Sequence, residues 1–123
     1  MLIGNLFNII DKKEIAKGEY RISFNCNANH KIFEGHFPNE PILPGVCMVQ
    51  FVRESLELVL NNKLKLQSSK TIKFIHIIDP RINQNLHLEL NINYNSNNIY
   101  EIRAGIKNET TSFFQMRGNY IKS

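Results

Sequence analysis

The residue best placed to do chemistry is His36, because its own loop is stiff. Residues 34–45 hold three prolines and two glycines. Proline fixes φ and lacks an N–H, while glycine adopts conformations that other residues avoid, so regular structure is excluded there. Residues 46–60 contain no further breaker, which predicts a helix of about four turns that begins at Gly45. The sequence therefore places one histidine in a rigid loop just before a helix N-terminus.

This arrangement is suited to proton removal next to a carbonyl group. The first backbone N–H groups of a helix have no internal partner, and the helix dipole adds partial positive charge there. The amides of Gly45 and Val46 can therefore hold a carbonyl oxygen that becomes negative. An imidazole nearby, that of His36, can remove a proton from the carbon beside that carbonyl. The alternative is that His36 is only a hydrogen-bonded loop residue.

The same residues resemble the signature of a known family. The sequence Gly35-His36-Phe37-Pro38, then Pro41, then Pro44-Gly45-Val46 is similar to that of the hot-dog-fold 3-hydroxyacyl-(acyl carrier protein) dehydratases of fatty acid synthesis. Phe33 and Lys73-Phe74 also match, so the resemblance runs through most of the chain. It implies that His36 is the catalytic base and that position 50 handles the departing hydroxyl. The predicted substrate-binding residues are Gly45, Val46 and Phe37.

The chain departs from that family at position 50, where Gln50 replaces the usual Glu or Asp. A carboxyl group can give a proton to a leaving hydroxyl, whereas an amide has no titratable proton near neutral pH and only orients groups by hydrogen bonds. Gln50 is still the predicted catalytic residue on the helix, either alone or with an acid from a partner. Helical periodicity offers another interpretation, in which Gln50 is the first member of a solvated stripe with Glu54, Glu57 and Asn61. Glu54, one turn beyond Gln50, is the nearby carboxylate that could substitute for the missing acid, but we expect it to be a surface residue.

The remaining sequence predicts strands. Apolar and polar residues alternate with period two in several stretches, residues 6–15 favour a strand over a short helix, and one Ile- and Thr-rich run precedes the turn at Asp79-Pro80. These stretches are residues 20–28, 64–78, 86–94, 100–106 and 114–120. About six mostly antiparallel strands and one long apolar helix indicate the α+β class, with the sheet wrapped around the helix. We expect a single hot-dog domain over residues 1–123, in agreement with the resemblance.

The composition limits the classes of function. Hydrophobic residues make up 42% and charged residues 21% of the chain, as in soluble globular proteins. The net charge of +4 includes no dense basic run, so nucleic acid is not expected as a partner, although a mildly basic surface suits an acidic carrier protein. No apolar run approaches the ~18 residues of a membrane span, and no signal-peptide pattern or cysteine framework is present, so we expect a cytoplasmic protein without membrane contact. Neither a metal nor another cofactor is implied.

The leading hypothesis is a 3-hydroxyacyl thioester dehydratase. It would eliminate water from a substrate bound to acyl carrier protein or coenzyme A and give the trans-2-enoyl thioester, in fatty acid or related biosynthesis. The resemblance implies that the histidine of one subunit works with the helix acid of another, so we expect a homodimer, a heterodimer with a related subunit that keeps the acid, or a higher oligomer. Two alternatives stay open: a non-catalytic acyl-binding subunit, and a hot-dog thioesterase in which Gln50 orients a hydrolytic water.

Overall fold

The computed structural model describes residues 1–37 and 39–123, which leaves Pro38 of the predicted loop outside the described residues. The described strands form one antiparallel sheet in the order β1-β2-β4-β5-β6-β3. The elements are β1 (Phe7–Ala16), β2 (Glu19–Cys26), α1 (Ile32–Gly35), α2 (Gly45–Leu60), β3 (Leu64–Phe74), β4 (Leu86–Tyr94), β5 (Tyr100–Lys107) and β6 (Ser112–Lys122). The predicted α+β hot-dog architecture is confirmed.

Most predicted elements are present, with two differences. The strand predicted over residues 64–78 ends at Phe74, because the N–H groups of Ile75 and His76 both turn to the Phe113 carbonyl and the ladder stops. The four-residue helix α1 was not predicted. Its first turn is held by His30, whose Nδ1 accepts a hydrogen bond from the Ile32 N–H at 3.0 Å. Such a short turn leaves no periodic pattern to detect.

The core lies between α2 and one face of the sheet. Three phenylalanines from β1, β2 and α2 meet there: the Phe51 ring stacks on Phe7 with centroids 4.2 Å apart and lies 4.5 Å from Phe24. All three side chains are fully buried. Aromatic clusters of this kind bury large apolar areas and hold neighbouring elements at a defined spacing. The cluster therefore fixes α2, and the residues it carries, against the first hairpin of the sheet.

The opposite side of α2 is only partly covered by the described residues. Val46 is 73% exposed, and Gln50 and Arg53 on the same stripe are half-buried. These three positions fall within an arc of roughly 60° at ~100° per residue. The helix thus presents the predicted site residues Val46 and Gln50 on its open face. None of the helices in the described ranges has the length and apolar character needed to cross a membrane.

Candidate active site

His36 lies half-buried in the loop that leads into α2. Its Nδ1 is 3.0 Å from the carbonyl oxygen of Ile42. A carbonyl oxygen only accepts hydrogen bonds, so Nδ1 must carry the ring hydrogen, and Nε2 of the neutral imidazole keeps its lone pair. Phe37 stacks on the imidazole with ring centroids 4.6 Å apart. The geometry therefore leaves Nε2 as the nitrogen that can accept a proton.

Backbone hydrogen bonds hold this loop in place. The Ile42 N–H donates to the His36 carbonyl at 3.0 Å, so the two residues are joined in both directions. The Leu43 N–H donates to the Ile78 carbonyl at 2.9 Å, which ties the loop to the segment after β3. Pro41 and Leu43 are buried. The stiffness predicted from the prolines is thus reinforced by tertiary contacts.

The N-terminus of α2 has two backbone N–H groups without a hydrogen-bond partner among the described residues. Pro44 is the N-cap residue, and the first turn carries neither a capping side chain nor an acidic residue. The Cys47 N–H donates to the Pro44 carbonyl at 3.1 Å, whereas no hydrogen bond among the described residues uses the N–H of Gly45 or Val46. The helix dipole concentrates partial positive charge at those amides. They form a site suited to a negatively charged oxygen.

Gly45 is in close contact with the aromatic ring of Phe74 at the end of β3. A Cβ added to Gly45 would lie 2.7 Å from both Cε1 and Cζ of that ring, which is closer than van der Waals contact allows. Phe74 is 55% exposed, so the ring has room to move away. Glycine at this position leaves room for the Phe74 ring beside the first residue of α2.

Gly45→Ala is therefore expected to displace the Phe74 ring and lower the free energy of unfolding by about 1 kcal/mol, at the low end of the range for overpacking. Chemical denaturation of Gly45→Ala, Phe74→Ala and the double variant measures this. Because the clash needs both side chains, the double variant should cost less than the sum of the single variants. Strict additivity of the two costs would contradict the close contact.

Glu54 is not the surface residue that helical periodicity suggested. It is 1% exposed, and its carboxylate accepts hydrogen bonds from the Leu2 N–H at 2.9 and 3.0 Å and from the Ile3 N–H at 2.9 Å. Gln50 Nε2 donates to the same carboxylate at 2.7 Å. Glu54 is buried because the first residues of the chain pack over this part of α2. The predicted solvated stripe is therefore wrong at Glu54, and Gln50 is half-buried and hydrogen-bonded.

The pKa of Glu54 lies below its ordinary value of 4.5. Burial alone raises this pKa, but the hydrogen bonds from Ile3, Leu2 and Gln50 favour the charged form. Together with the positive charge of the N-terminal amino group they outweigh burial. The folded state then binds fewer protons than the unfolded state near that pH, so stability rises with pH there. The contribution of Glu54 is fully present above about pH 4.5 and is lost as the pH falls through the lower folded pKa.

We therefore expect the difference in unfolding free energy between the wild type and Glu54→Gln to shrink as the pH is lowered from about 6 to about 3. Denaturant unfolding at a series of pH values measures it. Glu109→Gln, which removes an exposed carboxylate, is the matched control and should show no such trend. A wild-type advantage that stayed constant down to about pH 3 would show that Glu54 is not an ionised acceptor in the folded state.

The loop and the helix lie within a longer segment that matches a known protein family. The family of ApeI-like proteins, described as ApeI dehydratase, matches residues 12–114. The chain belongs to the ApeI-like family. The resemblance to hot-dog dehydratases drawn from the sequence is thereby confirmed.

Curated relatives of this ApeI-like chain are dehydratases. The 3-hydroxyacyl-(acyl-carrier-protein) dehydratase FabZ of Actinobacillus succinogenes is 34% identical over 77 residues, which are 61% of this chain and 51% of the relative. FabZ of Haemophilus influenzae is 30% identical over 92 residues, which are 70% of this chain and 62% of the relative. The chain spans about half to three fifths of the length of these relatives.

Solved structures agree with the fold. A chain of the dehydratase heterocomplex ApeI:P from Xenorhabdus doucetiae superimposes with a TM-score of 0.70 at 22% identity, covering 94% of this chain and 97% of that one. The E. coli PaaI protein superimposes with a TM-score of 0.62 at 14% identity, covering 95% of this chain and 79% of that one. At these identities the likeness shows the hot-dog fold alone.

The ApeI-like chain brings some predicted site residues together and keeps others apart. His36 and Phe37 are stacked, and Gly45 and Val46 share the start of α2. Within the described part of the chain, the side chain of Gln50 is hydrogen-bonded to Glu54 and not to His36. No direct hydrogen bond therefore joins His36 to the side-chain amide of Gln50 among the described residues of one copy.

Other candidate groups in the site region are accounted for by packing. Cys47 at the start of α2 is buried, and burial raises the pKa of its thiol, so this residue is a small core residue rather than an activated thiol. Burial likewise raises the pKa of Cys26 to about 12. Within residues 1–37 and 39–123, no three His, Cys, Asp or Glu side chains lie close enough to hold a metal ion.

Proposed function

We propose that this chain takes part in the elimination of water from a 3-hydroxyacyl thioester, with His36 as the base that removes the C2 proton. The proposal rests on the hydrogen bond from His36 Nδ1 to the Ile42 carbonyl at 3.0 Å, which leaves Nε2 to accept a proton. Membership of the ApeI-like family and the FabZ relatives support the reaction class.

The start of α2 supplies the second part of the reaction. As His36 Nε2 takes the C2 proton, negative charge develops on the thioester carbonyl oxygen, and the Gly45 and Val46 amides stabilise it. The electron pair from the broken C2–H bond then forms the C2–C3 double bond, and the C3–O bond breaks. The hydroxyl leaves as water once an acid has given it a proton. Phe37, 50% exposed beside the imidazole, flanks the acyl chain.

At position 50 this chain supplies an amide rather than the acid that would protonate the leaving hydroxyl. Either Gln50 of a second copy orients the leaving hydroxyl, or a carboxyl group of a related partner subunit protonates it. The open face of α2 and the edge strand β3 support such an assembly. β3 lies at an edge of the sheet, where β6 is its only neighbour among the described strands. Phe74 at the end of β3 and Ile77 shortly after it are exposed apolar residues. A second copy of this chain also carries Gln at position 50, so the partner that supplies the carboxyl group is a related hot-dog subunit that keeps the acid. The dehydratase heterocomplex ApeI:P supports such a pairing.

The substrate arrives as a thioester of acyl carrier protein or coenzyme A. The direct test is interconversion of 3-hydroxyacyl and trans-2-enoyl thioesters on each carrier by the purified protein, with its oligomeric state measured in parallel. Formation of the enoyl product that depends on His36 is expected. Tight binding of both thioesters with no turnover in any assembly, and no effect of His36→Ala on a complex, would instead indicate a non-catalytic acyl-binding subunit.

One observation favours a second candidate, an acyl thioesterase. The carbonyl oxygen Oε1 of Gln50 accepts no hydrogen bond from the described residues, and an amide oxygen is a suitable acceptor for a hydrolytic water. The Gly45 and Val46 amides would again hold the carbonyl oxygen. Free carboxylic acid and free thiol released from a saturated acyl thioester, on which dehydration is impossible, would identify this activity.

A further inference from the structure

Glu54 lies beside the candidate site without a role in it. It is the buried carboxylate that receives the Leu2 and Ile3 N–H groups and Gln50 Nε2. No described Lys or Arg side chain forms a salt bridge with Glu54: Arg53, the nearest basic residue on the helix, is paired with Glu57 at 3.1 Å. The amino group of Met1 acts on Glu54 through its charge. Every hydrogen bond that Glu54 makes among the described residues therefore comes from a neutral N–H donor.

The orientation of the Gln50 amide follows from this carboxylate. An amide has one donating nitrogen and one accepting oxygen, and these are distinguished by their hydrogen-bond partners. Oxygen against oxygen at 2.7 Å would be repulsive, because an ionised carboxylate only accepts. The nitrogen must therefore face Glu54. Nε2 is held inward, and Oε1, which has no partner among the described residues, is turned away from the carboxylate.

We propose that Glu54 is a positioning residue that fixes the Gln50 amide so that its carbonyl oxygen accepts a hydrogen bond from the 3-hydroxyl of the substrate. The identity of the ligand rests on the proposed function, whereas the orientation of the amide does not. In this arrangement the chain recognises a 3-hydroxyacyl group and distinguishes it from a saturated one. The substrate hydroxyl donates its hydrogen to Gln50 Oε1. The lone pairs of the hydroxyl oxygen therefore stay open to an acid from elsewhere.

The orientation is tested by NMR of the side-chain amides, with the Gln50 signals assigned by their loss in Gln50→Glu. One Gln50 amide proton is expected downfield of those of Gln115, an exposed glutamine on β6, and its exchange with solvent should be slower by about tenfold or more. Glu54→Gln should remove both differences, and Glu57→Gln should preserve them. Gln50 signals that coincide with those of Gln115 in the wild type would overturn the proposal.

The role in recognition is tested by affinity. A 3-hydroxyacyl pantetheine thioester should bind about tenfold more tightly than the saturated thioester of equal length, as one net hydrogen bond contributes about a factor of ten. Glu54→Gln should bring this ratio close to one and leave the affinity for the saturated thioester unchanged. A parallel loss of both affinities, or an unchanged ratio, would contradict the role. If neither thioester binds the wild type while the NMR result holds, the proposed function fails and the orientation of the amide stands.

Discussion

His36→Ala is expected to lower the rate of dehydration by ~100-fold to 10,000-fold, the range over which a general base contributes. The loss should appear chiefly in kcat, because the substitution leaves the Gly45 and Val46 amides, the proposed donors to the thioester oxygen, unaltered. The measurement is the initial rate of enoyl thioester formation by the wild type and by His36→Ala. Repeating it in the Gln50→Glu background keeps the test informative if the purified wild type is slow.

His87→Ala is the matched control for this loss. His87 is also half-buried and hydrogen-bonded, with Nδ1 3.1 Å from Ser23 Oγ, but it lies on the outer face of the sheet. It should retain the wild-type rate. If His36→Ala and His87→Ala had equal rates in both backgrounds, His36 would not be the base.

Gln50→Glu is expected to raise the dehydration rate of the purified protein by ~100-fold or more, because it supplies a proton donor for the leaving hydroxyl. The introduced carboxyl would lie at hydrogen-bonding distance from the Glu54 carboxylate, since Gln50 Nε2 is 2.7 Å from Oε2. Two carboxylates at this distance cannot both be charged without cost, so the pKa of the introduced group should be raised. It would then keep its proton closer to neutral pH, as a general acid must.

The pH dependence of the rate checks this mechanism. The activity of Gln50→Glu should fall as the pH rises through the raised pKa, because the acid loses its proton there. Adding Glu54→Gln removes the neighbouring charge, so the fall should move to lower pH. Gln115→Glu, which places a carboxyl on the exposed face of β6, should change neither rate nor profile. A Gln50→Glu rate equal to that of the wild type in every assembly would show that the missing acid is not what limits this chain.

The loop and the helix could be predicted because their signals are local. The prolines that follow His36 and the uninterrupted run after Gly45 act on neighbouring backbone. Helix α2 begins and ends where the sequence indicates, and Asn61, in the left-handed region at φ 53°, closes it. The alternation of apolar residues likewise predicts which strands bury one face.

The environment of Gln50 could not be predicted because it depends on distant residues. The donors to Glu54 lie 51 and 52 positions away in the sequence. The same holds for the Phe74 ring over Gly45, which requires the return of β3 to the start of α2. Helical periodicity shows only that Gln50 and Glu54 are one turn apart. It does not show which of the two faces water, because that is decided by the segment packed over them.

The assignment of His36 as the base is tested most directly by exchange of the C2 hydrogens of a 3-hydroxyacyl thioester in D2O, catalysed by the purified wild type. This reaction needs the base and the helix amides but no acid, because an enolate that cannot expel its hydroxyl takes back a deuteron at C2. We expect deuterium at C2 with the wild type and a loss of ~100-fold or more with His36→Ala. Equal exchange by the two proteins, or none by a wild type that binds the thioester, would contradict the assignment of His36 as the base.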